Sequence, residues 1–254
     1  MHAWTKSGNS AKHPEPWGIY GAFSTLRIQH GSRILFPAAH FDRLHHSAKK
    51  LNLPWIPSFD LLNSRIIEVL KSLESEKNHL LRICLFEDLL GISIRPALSD
   101  GNPVEGWLLS YRRPEPSIKC TAEKELYGSL SDLNIGKEDW IIHDPKENEL
   151  RESATSNLIF VKGSKLVIPE KKILQGITLQ KILPNLRETF SISREIPHDE
   201  EIKDYSEILL CGTGRGIAPI SSIPELGWKS QGNEIFNEIR AIYENLIETA
   251  DAGI

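Results

Sequence analysis

A break near the middle of this chain constrains its folding more than any other feature. Tyr111 to Ser117 reads YRRPEPS, polar and charged with two prolines, and the apolar pattern differs on its two sides. Proline has no amide donor and a fixed φ, so the stretch suits neither a helix interior nor a central strand and reads as a linker. It leaves about 100–140 residues on either side, each within the usual range of a domain. We expect an N-terminal extension over 1–18, a small α+β domain over 19–110, the linker at 111–117 and a larger domain over 118–254.

Before the break, IYGAFSTLRIQ (19–29) and RILF (33–36) read as strands joined through His30-Gly31-Ser32, with glycine supplying the positive φ of a hairpin turn. Phe41, Leu44, Ala48 and Leu51 recur at helical spacing, and Pro54 and Pro57 close that segment. Ser58 offers an N-cap to a second helix, DLLNSRIIEVLKSLESEK, with Leu62, Ile66, Val69, Leu70 and Leu73 on one face. Strands LLRICLF from Leu80 and WLLSY at 107–111 complete this half. Beyond the break a short helix near 121–133 precedes strands at 140–143, 157–162 and 165–168. A helix starts near Gly176, and Pro184 must kink or shorten it. Strand EILLC (207–211) follows, then a terminal helix with Ile235, Ile239, Ile242, Leu246 and Ile247 on its apolar side.

Thirty Lys and Arg against 34 Asp and Glu give a net charge of −4, so no general basic field exists to hold nucleic acid or an anionic membrane. Any anion must be gripped locally. The six tryptophans are scattered and lack a basic stripe, which argues for packing rather than base stacking. Cys84, Cys120 and Cys211 form no CxxC pair and are too sparse for a disulfide framework, so a reducing, cytoplasmic setting is expected. The first 18 residues hold no apolar signal core, and no segment approaches the roughly 20 apolar residues of a membrane span. Neither a nucleic-acid nor a membrane partner is expected.

GTGRG at 212–216 follows a strand, as a dinucleotide-binding turn must, but no helix opens after it: Ala218-Pro219 and β-forming residues follow. With no Gly-Lys-Ser/Thr, a P-loop is excluded too. What remains is a tight turn whose amides and Thr213 hydroxyl can hold one phosphate, or a plain structural turn. His40, His45 and His46 do not make a metal site, because their spacing spreads them around a helix and no Cys or acidic cluster joins them; no metal is expected.

Six segments are more informative together: GAFSTLRI (21–28), FPAAHFDRLHHSAKKL (36–51), SIKC (117–120), ESATSNLIFVKG (152–163), ILQGIT (173–178) and CGTGRGIAPI (211–220). In this order and spacing they resemble the class IV aminotransferases. These are fold-type IV pyridoxal-phosphate enzymes that include branched-chain and D-amino-acid aminotransferases and 4-amino-4-deoxychorismate lyase. The resemblance runs from about residue 19 to the C-terminus. It implies a two-domain α+β fold like that of D-amino-acid aminotransferase, with the cofactor between the domains and a homodimer as the family's usual state. Lys119 matches the lysine that forms a Schiff base with pyridoxal 5′-phosphate and then shuttles protons, a task that suits a desolvated amine. Glu152 matches the carboxylate that keeps the pyridine nitrogen protonated and so makes the ring an electron sink. Arg43, Ile177 with Thr178, and Gly212 with Thr213 match the phosphate contacts, and Leu174 matches an apolar residue against the ring.

Three departures alter the substrate wall. Phe23-Ser24-Thr25 stands where Phe-Glu-Thr is frequent, Glu87, Asp88 and Leu89 stand after Arg82 where the family often has an Arg-Gly-rich loop, and Leu179 replaces an arginine. Arg27, Arg95, Arg113 and Arg215 are the spare cations for a substrate carboxylate. The resemblance implies chemistry at an amino group attached to an acid. It leans to 4-amino-4-deoxychorismate lyase, which releases pyruvate and leaves 4-aminobenzoate for folate synthesis; an aminotransferase using a 2-oxo acid is the alternative. A cofactor-binding homologue without catalysis is a third reading, motivated by the altered loop and opposed by the retained Lys119 and Glu152.

Overall fold

The computed structural model describes residues 1–250 except 31, 72 and 74–76, so Gly31 and most of the end of the second expected helix lie outside the described residues. The chain forms two compact units. The first comprises Met1–Ala97 and Ile118–Gly128, with Ala250; the second comprises Leu98–Ser117 and Ser129–Thr249.

In the first unit β1 (His2–Thr5), β2 (Ala22–Gln29) and β3 (Arg33–Ile34) precede helices α1 (Pro37–Lys50) and α2 (Phe59–Leu70), and β4 (His79–Leu85) and β5 (Leu89–Pro96) follow. The strands make an antiparallel sheet in the order β1-β5-β4-β2-β3. Leu26, Ile28, Leu81, Ile83 and Ile92 from the sheet share a core with Leu44, Leu62 and Ile66 from the helices. Ser58 caps α2 as its sequence implies, accepting from the Leu61 amide at 3.2 Å. In the hairpin bend His30 has a positive φ, 49°. The first 18 residues are no mere extension: β1 pairs with β5, and Trp4 enters the core. The segment after Arg82 is a hairpin, in which the Phe86 amide donates to the Leu89 carbonyl at 2.9 Å. Gly91 and the acidic pair Glu87-Asp88 concealed β5 in the sequence.

The second unit begins with β6 (Val104–Ser110), placed by its hydrogen bonds rather than by chain position. It pairs in parallel with β7 (Glu138–Asp144) and with β13 (Gly216–Ile223). The strand expected to finish the first half therefore opens the second, and YRRPEPS lies inside the second unit rather than between the two. The short α3 (Lys124–Gly128) belongs to the first unit and ends well before residue 133, where a 3-10 turn takes over. Strands β8 (Glu149–Ser153), β9 (Asn157–Lys162) and β12 (Glu207–Gly212) complete a closed ring, β9-β12-β13-β6-β7-β8, in which β8 pairs back onto β9 through Glu152 and Asn157. Strands β10 (Lys165–Val167) and β11 (Ser191–Ser193) extend from β9, and β14 (Trp228–Lys229) pairs with β13. Closing the ring removes its edges, and alternate residues such as Leu158, Phe160, Leu210 and Ile220 fill the interior.

Helix α4 (Ile177–Thr189) runs through Pro184 instead of stopping there. Its buried Ile182 and Leu186 supply the packing that offsets the hydrogen bond lost at the proline. Helix α5 (Glu234–Thr249) buries Ile239, Tyr243 and Ile247, while Ile235, Ile242 and Leu246 are only partly covered. Among the described residues no helix is long and apolar enough to cross a membrane.

Candidate active site

Lys119 is held by the start of β2. Because β3 pairs only with Ile28 and Gln29, the other end of that β2 edge is open to another segment, and residues 119–121 take it. The Phe23 amide donates to the Lys119 carbonyl at 3.1 Å, the Thr121 amide donates to the Gly21 carbonyl at 2.8 Å, and the Lys119 amide donates to Ser47 Oγ at 3.2 Å. The half-buried side chain places Nζ 4.7 Å from the Phe23 ring centre and 5.1 Å from that of Tyr127. Trp17 stacks on Tyr127 at 5.2 Å, and the Arg82 guanidinium lies over Trp17 at 4.5 Å. A lysine and an arginine thus share one aromatic cluster.

Arg43 stands one turn after His40 on α1, which puts both on one face. Arg43 Nη2 donates to Ser24 Oγ at 2.9 Å, and His40 Nδ1 lies 3.0 Å from the same hydroxyl and 3.5 Å from Nη2. Arginine only donates, so Nδ1 is the unprotonated nitrogen and Ser24 donates to it. Burial holds the His40 pKa well below its ordinary value, and the charges of Arg43 and Lys119 act in the same direction. Ser24 therefore orients Arg43.

In the second unit Glu152 is buried at the end of β8. Both its oxygens accept from the Leu174 amide at 3.2 Å, and Oε1 also accepts from Arg113 Nη1 at 3.2 Å. Asn157, paired in register with Glu152, donates from Nδ2 to the Leu174 carbonyl at 2.8 Å and accepts from the Gly176 amide at 3.1 Å. One asparagine thereby ties the buried Leu174 and the α4 N-terminus to the strand that follows Glu152. Gly176 is the N-cap, and a Cβ there would fall 2.0 Å from Asn157 Oδ1. The Ile177 and Thr178 amides sit in the first turn, where a helix supplies no acceptor of its own. Asn157 also faces Cys211, so β12 runs on from there into Gly212 and the turn bearing Thr213. Glycine is required at 212 as well, since a Cβ would come 2.5 Å from Ser156 Oγ. GTGRG itself is a hairpin between antiparallel β12 and β13, with Gly216 at φ 62°, as its failure as a dinucleotide turn implied.

The four candidate substrate cations have different fates. Arg113 forms a buried ion pair with Glu152, and Arg215 one with Asp139 at 3.1 Å, so neither is a spare cation. Arg27 is wholly buried on β2, and Arg95 is exposed near the end of β5. Sequence reasoning passed over Asn157, Asp139, Ser24 and His40 as site residues. The signal for Asn157 was present, because asparagine is depleted in strands and here it opens one. Burial pushes the Asp139 carboxyl up, and the Arg215 charge pulls it back.

Each unit by itself carries groups that suit pyridoxal phosphate. The first unit offers an amine against aromatic faces and an oriented guanidinium. The second offers a buried carboxylate beside an apolar leucine, a helix N-terminus and a glycine-threonine turn. The chain belongs to the amino-transferase class IV family, whose model matches residues 21–223. No curated protein matches it. Among solved structures, a branched-chain aminotransferase from Thermoproteus uzoniensis has 18% identity and a TM-score of 0.81, over 98% of this chain and 95% of that one. The Escherichia coli branched-chain amino acid aminotransferase has 20% identity and a TM-score of 0.78, over 97% and 94%. A Legionella pneumophila protein provisionally assigned as a 4-amino-4-deoxychorismate lyase has 18% identity and a TM-score of 0.74, over 89% and 91%. At these identities the likeness establishes the fold, the α+β fold of fold-type IV enzymes.

Proposed function

We propose that this chain, a pyridoxal-phosphate enzyme of the amino-transferase class IV family, is a lyase that acts on 4-amino-4-deoxychorismate, releasing pyruvate and leaving 4-aminobenzoate. Bound pyridoxal phosphate supplies an electrophilic carbonyl and an electron-poor ring. The chain's own residues supply the rest. Lys119 Nζ is the group we assign to hold the cofactor and then to move the substrate's Cα proton. Glu152, held in place by Arg113 and the Leu174 amide, accepts a hydrogen bond from the ring nitrogen. Arg43, the Ile177 and Thr178 amides, Gly212 and Thr213 hold the phosphate, and Leu174 packs on the ring.

The observation that carries the lyase reading is Ser24. Its hydroxyl spends itself on Arg43 and His40 where the family's aminotransferases frequently present a carboxylate toward substrate. Amino transfer to a 2-oxo acid is the second reading, and the branched-chain aminotransferase neighbours favour it. Aminodeoxychorismate is the deciding substrate. Pyruvate release without any 2-oxo acid supports the lyase, and amino transfer that depends strictly on a 2-oxo acid overturns it. Bound cofactor with neither activity indicates a non-catalytic homologue. We further propose a cytoplasmic homodimer. The reducing compartment is supported by three free, buried cysteines, and the dimer rests on the family's habit; a sedimentation mass of one chain would refute it.

A further inference from the structure

Asp139 lies in β7 with no exposed surface. Its Oδ2 accepts from three side chains: Thr155 Oγ1 at 2.5 Å, Ser153 Oγ at 3.1 Å and Arg215 Nε at 3.1 Å. Its Oδ1 meets no hydrogen-bond partner among the described residues. Ser153 and Thr155 belong to the turn between Glu152 and Asn157, and Arg215 closes the turn that begins at Thr213. One oxygen therefore fastens two turns together. Arg215 extends the anchorage, donating to Ser99 Oγ at 2.9 Å and to the Glu138 carbonyl at 2.6 Å. The turns also approach closely, since a Cβ on Gly212 would lie 3.0 Å from the Thr155 carbonyl.

Stability alone gives no reason to keep such a pair, because replacing a buried ion pair by well-packed apolar residues is often neutral or better. The location gives one. Pyridoxal phosphate carries its ring nitrogen and its phosphate on one small molecule, the phosphate on a short oxymethyl arm, so the distance between them has a limited range. A protein that grips both must hold its two grips at a separation that this range allows.

We propose that Asp139 and Arg215 are positioning residues that set the separation between the ring-nitrogen contact at Glu152 and the phosphate contact at Gly212-Thr213. The inference rests on the cofactor reading of those two sites. Neither side chain touches the cofactor in this scheme, and Arg215 is thereby removed from substrate binding. A mismatch penalises the ligand that needs both grips and spares the one that needs only the ring.

The test compares affinities of the full chain for pyridoxal phosphate and for pyridoxal, read by tryptophan fluorescence. Thr155→Val deletes one hydroxyl at nearly constant volume and leaves the ion pair intact. The double variant Asp139→Asn/Arg215→Gln removes both charges together, so neither is left buried and alone. The proposal expects the phosphate's contribution, the ratio of the two affinities, to fall about tenfold or more in both variants, with pyridoxal affinity within about twofold of the parent. Ratios unchanged in both variants overturn it. Equal losses for the two ligands overturn it too, because they indicate a general structural role. Should the double variant unfold, Thr155→Val decides alone. A parent chain that binds pyridoxal as tightly as its phosphate would overturn the cofactor reading itself, which no variant result can do.

Discussion

Single side chains carry the chemistry here through what fastens them. His40 is buried beside Arg43, and its pKa is held well below the ordinary value of about 6.5. The unfolded chain therefore binds a proton that the folded chain refuses. Stability should fall as pH drops below about 6.5, with His40 contributing up to the slope of one proton and His45, also lowered by burial, adding to it. Urea unfolding from pH 8 to 5 should show this slope, and His40→Asn should reduce it while leaving the His45 share. Asn157 spends its amide on the Leu174 carbonyl, which is buried, and the Gly176 amide, which is half-buried. Asn157→Ala should cost about 1–3 kcal/mol, since it leaves buried polar groups unpaired. It should also weaken cofactor binding, because it loosens Leu174 and the α4 N-terminus at once; equilibrium unfolding and a cofactor titration measure the two effects. Such dependences hid from a one-dimensional reading. Lys119, Glu152 and Thr213 sit in short motifs, whereas the partner of Glu152 is Arg113 and that of Arg215 is Asp139, far off in sequence and named by no local pattern.

Elements follow their local physics where one signal dominates. Ser58 before an apolar periodic run predicts the α2 cap, and the cap forms. Ser58→Ala should cost about 1 kcal/mol in chemical denaturation with no effect on catalysis, because the residue is exposed and does nothing else. Strand β9 coincides with NLIFVK, an apolar run buried inside the ring. Phe160→Ala there should cost about 3–5 kcal/mol, read from urea midpoints, because Phe160 has no exposed surface and packs at 5.1 Å from the Tyr205 ring. The missed strands have a common cause. Strands β1, β5 and β8 are short or interrupted by charge and glycine, and each is fixed by a neighbour's hydrogen bonds rather than by its own pattern. Pro184 shows the converse, a strong local stop overridden by packing.

The molecule as a whole assembles each unit from distant stretches of chain, which is why the Pro-rich segment misled as a boundary: β6 belongs to the strands it pairs with. A polar network ties part of the second unit together. Asp144 accepts from Arg112 at 2.6 Å, pairs with Arg151 at 2.7 Å and takes the Lys146 and Glu147 amides. Burial alone would raise its pKa, yet these donors bring it to about 2, below the unfolded value of about 3.9. The contribution is fully present above about pH 4 and is lost as pH falls toward 2, so Asp144→Asn should flatten the acid limb of the stability curve. The assignment on which the functional account turns is Lys119. Borohydride treatment of the cofactor-loaded protein followed by peptide mapping should place the pyridoxyl group on the peptide containing Lys119, and Lys119→Ala should abolish that label. A protein that takes up no cofactor, or a label fixed on a different lysine, would contradict the account.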